Sequence, residues 1–358
     1  MTRSRFLLVP LFLLALVGCD GTGTDTVIVT TGVVVGNQGN FTDGNGSVMV
    51  IDPESGTVST LASGFGSVVQ SVTVVGDSVY VTANSAGRID VIDLDTGTLA
   101  GQVTGLTSPR YIAMPNATTA YVTNLFESGF TGGTVDVIDL PSQTVVNSIS
   151  VGDNPEGLAV AGGRLFVANH GFGAGRTLSV ISTVTQEVTA TVDVECDGPR
   201  MLFADSEADL WVLCTGQTIY DDEFNVIAQT PGQIVILNPG NGAELGRITL
   251  EGQISTAGPG QDAHYSEEEQ ELHVVLDQNR VLRINTGANV VVDTFGPIDG
   301  DPIGAVAYDA AEERLYLGRV PGFATNGTVT VHDRNAIEVD SYPVGVAPSH
   351  FDFVRAER

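Results

Sequence analysis

Lysine is absent: all 15 basic side chains in the 358 residues are arginine. That removes Schiff-base lysines and lysine-anchored phosphate sites from consideration. Positive charge is scarce altogether, with 43 acidic residues leaving a formal net charge of −28, so no nucleic acid is expected as a partner. There is one tryptophan and there are only three cysteines. Beyond the first 19 residues no apolar run approaches the roughly 18 residues that a membrane-spanning helix needs, and few segments show a helical period. His-Glu-x-x-His, Cys-x-x-Cys-His, Gly-x-Ser-x-Gly and a glycine loop followed by lysine are all missing, which leaves the common hydrolytic, haem-attachment and nucleotide chemistries without a motif. Binding is therefore expected ahead of catalysis.

What is present begins with Arg3 and Arg5, a short apolar run over 6–17, and Leu16-Val17-Gly18-Cys19. The pattern is that of a signal peptide, and its end resembles the bacterial lipobox. The resemblance implies cleavage before Cys19 and lipidation of its sulfur. The expected organisation is a signal peptide over 1–18, a lipidated cysteine and linker over 19–25, and a folded domain over 26–355. A lipid anchor in a membrane of the bacterial cell envelope follows, the outer membrane (periplasmic or surface side) ahead of the inner. The acidity, spread along the chain, reads as a solvated surface suited to salty surroundings.

The folded part is rich in Val, Thr and Ile, with 43 glycines for turns, and one unit recurs at roughly 45-residue spacing. A Pro-led strand, a turn and an aromatic-Val strand lead into a Gly-rich loop, a Val-x-Val-Ile-Asp strand, a Gly-Thr turn and a last strand. Second strands carry Tyr80, Tyr121, Phe166, Trp211, His273 and Tyr316 at equivalent places, and third strands such as Ile89-Asp90-Val91-Ile92-Asp93 and Val135-Asp136-Val137-Ile138-Asp139 follow in register. Four short strands per unit predict an all-β protein, a seven-bladed β-propeller of four-stranded blades. The N-terminal unit supplies only three strands; Ala347-Pro348-Ser349-His350-Phe351 matches the missing first one, so the C-terminal strand should complete blade 1 and close the ring. Blade 6, over 261–295, departs most, lacking the Pro start. Tyr121-Val122-Thr123-Asn124 is a literal match to the YVTN-repeat propellers, which this chain resembles across 26–355. The resemblance implies the fold and leaves open several functions, among them ligand binding, lactonase and redox activities, and envelope scaffolding.

Loops joining second to third strands are long, over 32–46, 124–133, 169–175, 215–232 and 318–327, and share one face of the predicted disc. They hold Phe41, Phe126, Phe130, Phe172, Tyr220, Phe224 and Phe323 among polar residues. Either each ring packs back on its own blade, or they form a shared rim able to hold a flat or amphipathic ligand. Just after the first-strand prolines come Arg110, Glu156, Arg200 and Ser349, with His350 next. This position should face the channel mouth, His264 is taken as its counterpart in blade 6, and His170 opens the blade 4 loop. The ligand-binding set expected is thus Arg110, Phe130, Glu156, His170, Phe172, Arg200, Tyr220, His264 and His350, around a small molecule, corrinoid-like by analogy with similar exported lipoproteins, or a partner protein of the envelope. A monomer is expected.

Cys196 and Cys214 flank the first hairpin of blade 5, near enough for a disulfide in an oxidising compartment, with two buried thiols as the alternative. Asp221, Asp222 and Glu223, with Asn225, offer oxygen ligands for calcium but no recognisable ligand ladder, and a solvated charge cluster is the stronger reading. No other cofactor is evident.

Overall fold

The computed structural model describes residues 27–126 and 132–358; Cys19, its leader and Phe130 lie outside them. Second strands such as Arg164–Asn169 and Leu210–Cys214 are buried almost throughout, because each lies within a blade whose two faces are covered by neighbouring blades. Outer strands such as Glu187–Asp193 and Val290–Phe295 are exposed, which is why polar residues dominate the first and three valines are tolerated at the rim of the second. Seven four-stranded antiparallel sheets result, each ordered by sequence from the axis outward except the first. That one is made of Ile28–Asn37, Ser47–Asp52 and Thr57–Ser63, with Pro348–Glu357 added as its innermost strand.

Closure is extensive. Val33 pairs with Phe353 and Val35 with Phe351, and Val27 and Arg358 exchange backbone hydrogen bonds of 3.0 and 2.9 Å. The Arg355 guanidinium reaches Asp309 of blade 7 at 2.5 Å. This pairing removes the two sheet edges that an open array would expose.

Apolar clusters fill the spaces between blades. Tyr121, Val135 and Val137 of blade 3 meet Leu158, Leu165 and Ile181 of blade 4; Trp211 and Ile234 of blade 5 meet Leu272 and Val274 of blade 6. Each fully buried Leu, Ile or Val here contributes about 1.5–3 kcal/mol. The recurrent aromatic serves this packing. Trp211 is fully buried, with its indole N–H donated to Asp205 at 2.8 Å, and His273 takes the same place in blade 6, stacked on Tyr308 at 4.5 Å. Cys196 and Cys214 are joined as a disulfide, with Cα atoms 6.0 Å apart, inside the cluster between blades 4 and 5.

Candidate functional site

Six of the seven blades share a register shift at the head of the first strand, at Gln70, Arg110, Glu156, Arg200, Gly304 and Ser349. A bulge leaves a residue unpaired and re-aims it, so these residues point toward the axis at one end of the channel instead of alternating into the blade walls.

There they meet one another. Arg110 and Glu156 form a forked pair, Nε to Oε2 at 3.0 Å and Nη2 to Oε1 at 2.6 Å, with both side chains less than 10% exposed. Arg110 also donates to the Gln70 amide oxygen. Arg200 pairs with Asp262 at 2.8 Å, and the carboxylate, fully buried, accepts from the Thr256 hydroxyl at 2.7 Å. Around the axis the order is Gln70, Arg110, Glu156, Arg200, Asp262, a belt in which the neutral amide of blade 2 is followed by alternating charges from blades 3 to 6. Burial raises the Glu156 carboxyl, but Arg110 and Arg200 outweigh it and hold the group below the usual carboxylate range. Burial likewise opposes the Arg200 charge, and Asp262 with its neighbours more than offsets it.

A strap crosses the mouth beside this belt. Leading into the short first strand of blade 6, Ala263–Ser266, residues 255–261 hydrogen-bond to four blades other than their own. Ala257 N donates to Ile303 O, Gln261 N to Ser349 O, Gln70 Nε2 to Pro259 O at 3.0 Å, and Arg200 Nη2 to Gly260 O at 3.2 Å; Ser255 N also reaches Val275 O within blade 6. A further contact is steric: Gly258 lies under the Phe323 ring of blade 7 and beside the Gln38 amide of blade 1. Gly260 is required, since a Cβ there would lie 1.8 Å from the Gly304 carbonyl oxygen.

Of the expected set, Arg110, Glu156, Arg200 and His350 come together at this mouth. His264 does not hold the blade 6 position assigned to it. Asp262, two residues earlier, faces Arg200, while His264 sits deeper, edge-on to Phe353 at 5.7 Å and accepting from Tyr308 N at 3.3 Å. Without the proline, the strand start was misplaced. His170 lies beside Glu156 with Nε2 3.4 Å from the Thr215 hydroxyl. Burial lowers His170 and His264 to about 4 and His350 to about 3, so all three are neutral at pH 7. Gln70, Tyr111 and Asp262 were missed. Blades 2 and 6 have no proline to mark the position, and Tyr111 follows Arg110 where simple alternation would turn it away.

The rings divide from the charges. Phe41, Phe172, Tyr220, Phe224 and Phe323 are exposed, Phe224 by 86% and Phe172 by 67%. They lie on second-to-third-strand connections, all on the face that carries the belt. Phe172 and Phe224 have φ of 55° and 63°, left-handed backbone that bulky residues rarely adopt. Phe126 contacts Phe172 at 6.3 Å. Tyr220 belongs to a two-stranded hairpin, Thr218–Tyr220 with Val226–Gln229, whose turn consumes Asp221: its carboxylate accepts from Glu223 N, Asn225 N and the Asn225 amide. Among the described residues no three His, Cys, Asp or Glu side chains converge in a metal-holding group.

No family model matches the chain, and no curated protein does. Solved propellers do. The periplasmic gluconolactonase of Pseudomonas aeruginosa aligns with TM-score 0.66 at 18% identity, over 90% of this chain and 98% of that one. What is shared is the fold. Hydrazine synthase of Kuenenia stuttgartiensis gives TM-score 0.61 at 19% identity over 79% and 88%, and apo AztD of Citrobacter koseri gives 0.55 at 12% over 93% and 98%. The chain is a seven-bladed propeller with neighbours of several activities.

Proposed function

We propose that this propeller is an exported, lipid-anchored binding protein of the YVTN-repeat kind, and that its long-looped face captures a ligand with apolar surface. The observation that carries the reading is the pair Phe172 and Phe224, both exposed and both at left-handed backbone positions. A bulky residue there costs about 1–3 kcal/mol, and water gives an exposed ring no compensating gain. Such a residue is explained when something else covers it. Phe41, Phe323 and Tyr220 on the same face extend the surface, which suits a flat, amphipathic molecule of the corrinoid class. A lactonase-like or redox use of Glu156 is less well supported, because Arg110 already engages both of its carboxylate oxygens.

The test is co-purification. Native protein is analysed by absorbance and mass spectrometry for a bound molecule, alongside a variant carrying Phe41→Ser, Phe172→Ser, Phe224→Ser and Phe323→Ser. The native sample is expected to carry a ligand that the variant has lost while keeping its melting temperature. A ligand retained by the variant overturns the assignment to this face.

A further inference from the structure

A groove at the rim between blades 1 and 2 stands open where the next two grooves are bridged by side chains. It holds a cavity of about 510 Å³, bounded by residues 60–65 on the outer side of blade 1 and by Arg88, Asp90, Leu99 and Gln102 of blade 2, a size within the usual range of binding pockets. The outer strand of blade 1, Thr57–Ser63, pairs only with Ser47–Asp52. Alternate backbone N–H and C=O groups along its other side therefore have no strand to meet.

The next two grooves show what such an edge takes. The fourth strand of blade 2, Leu99–Thr104, is free on the same side, and there Gln102 N donates to the Gln143 carboxamide of blade 3 at 3.0 Å. In blade 3, Ser148 lies opposite Asp136 as Gln102 lies opposite Asp90. Its N–H is donated to the Asn147 carboxamide at 2.9 Å, and that amide is held by Gln186 of blade 4 at 3.1 Å. Gln143 and Gln186 stand at the same place in their turns, with φ of 55° and 56°, and Gly97, with φ of 68°, is their counterpart in blade 2. Gly97 has no side chain to give, and a Cβ there would run into the Leu61 carbonyl oxygen. Thr60, opposite Met49 in the register of Gln102 and Ser148, thus receives no amide from the blade beside it.

Fixed charge in this groove is already balanced. Arg88 Nε donates to both Asp90 oxygens at 2.9 and 3.0 Å and Nη2 to Phe65 O at 2.7 Å, while Gln102 Nε2 donates to Asp90 Oδ1 at 2.7 Å. Arg88 Nη1 and Gln102 Oε1 are left over, one donor and one acceptor. A neutral donor and acceptor beside a bare strand edge match a peptide backbone better than a carboxylate or a phosphate.

We propose that this groove binds an extended peptide segment of a partner protein, which adds to Thr57–Ser63 as a further strand and sets its backbone amides where Gln143 sets its carboxamide over Gln102. The segment carries basic residues at its ends, because the chain has a net charge of −28 and Asp95 lines the adjoining cavity that shares Thr60 and Gly97. The same charge disfavours a second copy of this chain, and its own residues 20–26 bring Asp20 and Asp25. Nothing in this site requires the loop face to bind.

The experiment titrates the full mature chain with the capped peptide acetyl-Arg-Thr-Val-Thr-Val-Arg-amide and with the same peptide methylated at alternate backbone nitrogens. The methylated form keeps charge and side chains and loses backbone donors. Calorimetry in about 0.5 M NaCl, which screens long-range attraction, gives affinity, and hydrogen exchange gives location. Expected are saturable binding, slowed exchange at residues 57–65, and affinity about tenfold lower for the methylated peptide and in Thr60→Pro, a change that an edge strand tolerates. Equal affinity for the two peptides, protection at other outer strands instead, or no saturable binding overturns the proposal. So does slow exchange at 57–65 before peptide is added, or a dimer in light scattering, since the edge would then be covered by residues 20–26 or by a second copy. Should Thr60→Pro fail to fold, the contrast between the two peptides in the native chain decides. The four-Phe loop variant should bind the peptide like the native chain, so this groove and the loop-face reading fail separately.

Discussion

At the channel mouth Arg200 is 9% exposed and held by Asp262, while a few loops away the Phe224 ring is 86% exposed. The two regions share one face of the disc yet reverse the usual placement, with charges inside and rings outside. Each choice has a different physical justification. Buried charge persists because every charge in the belt has a partner of opposite sign on the neighbouring blade; the belt therefore joins five blades and is structural before it is anything else. Exposed rings at strained backbone positions have no such internal justification, and it is they that point to an outside partner.

The comparison can be broken in several places, the most drastic being the strand that supplies Ser349 and His350 to the mouth. Deleting residues 347–358 should leave no cooperative thermal transition, because it bares the inner edge of Ile28–Asn37 and uncovers the cluster shared by blades 7 and 1. A truncated chain melting like the full one would mean that the ring does not depend on closure. Arg200→Ala leaves the Asp262 carboxylate buried without its partner and should cost about 3–5 kcal/mol in urea unfolding. Replacing the pair together, Arg200→Met with Asp262→Leu, should recover most of that loss. If the single change is harmless, the belt is not structural.

Acid should also weaken the mouth. His170, His264 and His350 titrate in the fold at about 4, 4 and 3, below the ordinary value of about 6.5. Between those values the unfolded chain binds more protons than the folded one, so stability is full above pH 6.5 and falls as pH drops toward 3, by up to about 1.4 kcal/mol per pH unit for each histidine. His350→Gln should make that slope shallower by one proton, as read from urea unfolding at pH 7, 6 and 5. At the rim the sign reverses: Phe172→Gly relieves the left-handed strain and should raise stability by up to about 1 kcal/mol while weakening ligand binding. A loss of stability there would show that the ring packs on its own blade.

The blade pattern was plain in the sequence because each strand type repeats its burial: Tyr121, Phe166 and Trp211 recur at one place in the walls between blades. Closure could be inferred from Pro348-Ser349-His350 because it copies the other first strands. The belt was half legible. Arg110, Glu156 and Arg200 were marked by the prolines before them, but a list of polar residues facing one mouth does not reveal that they will satisfy each other, since pairing depends on the rotation between blades. Asp262 was hidden for a different reason: blade 6 trades its leading proline for the glycine-rich strap. Tyr111 escaped notice because the bulge at Arg110 breaks the two-residue alternation on which such reading relies.

The hydrogen bonds between Val27 and Arg358 fix where both chain ends leave the disc. Since the strand from Ile28 runs toward the long loops, the N-terminal segment departs from the opposite side. If that segment leads to a lipid at Cys19, the molecule would stand on its tightly turned underside like a table on a short leg, with Phe172 and Phe224 turned away from the bilayer toward whatever arrives from the surrounding fluid.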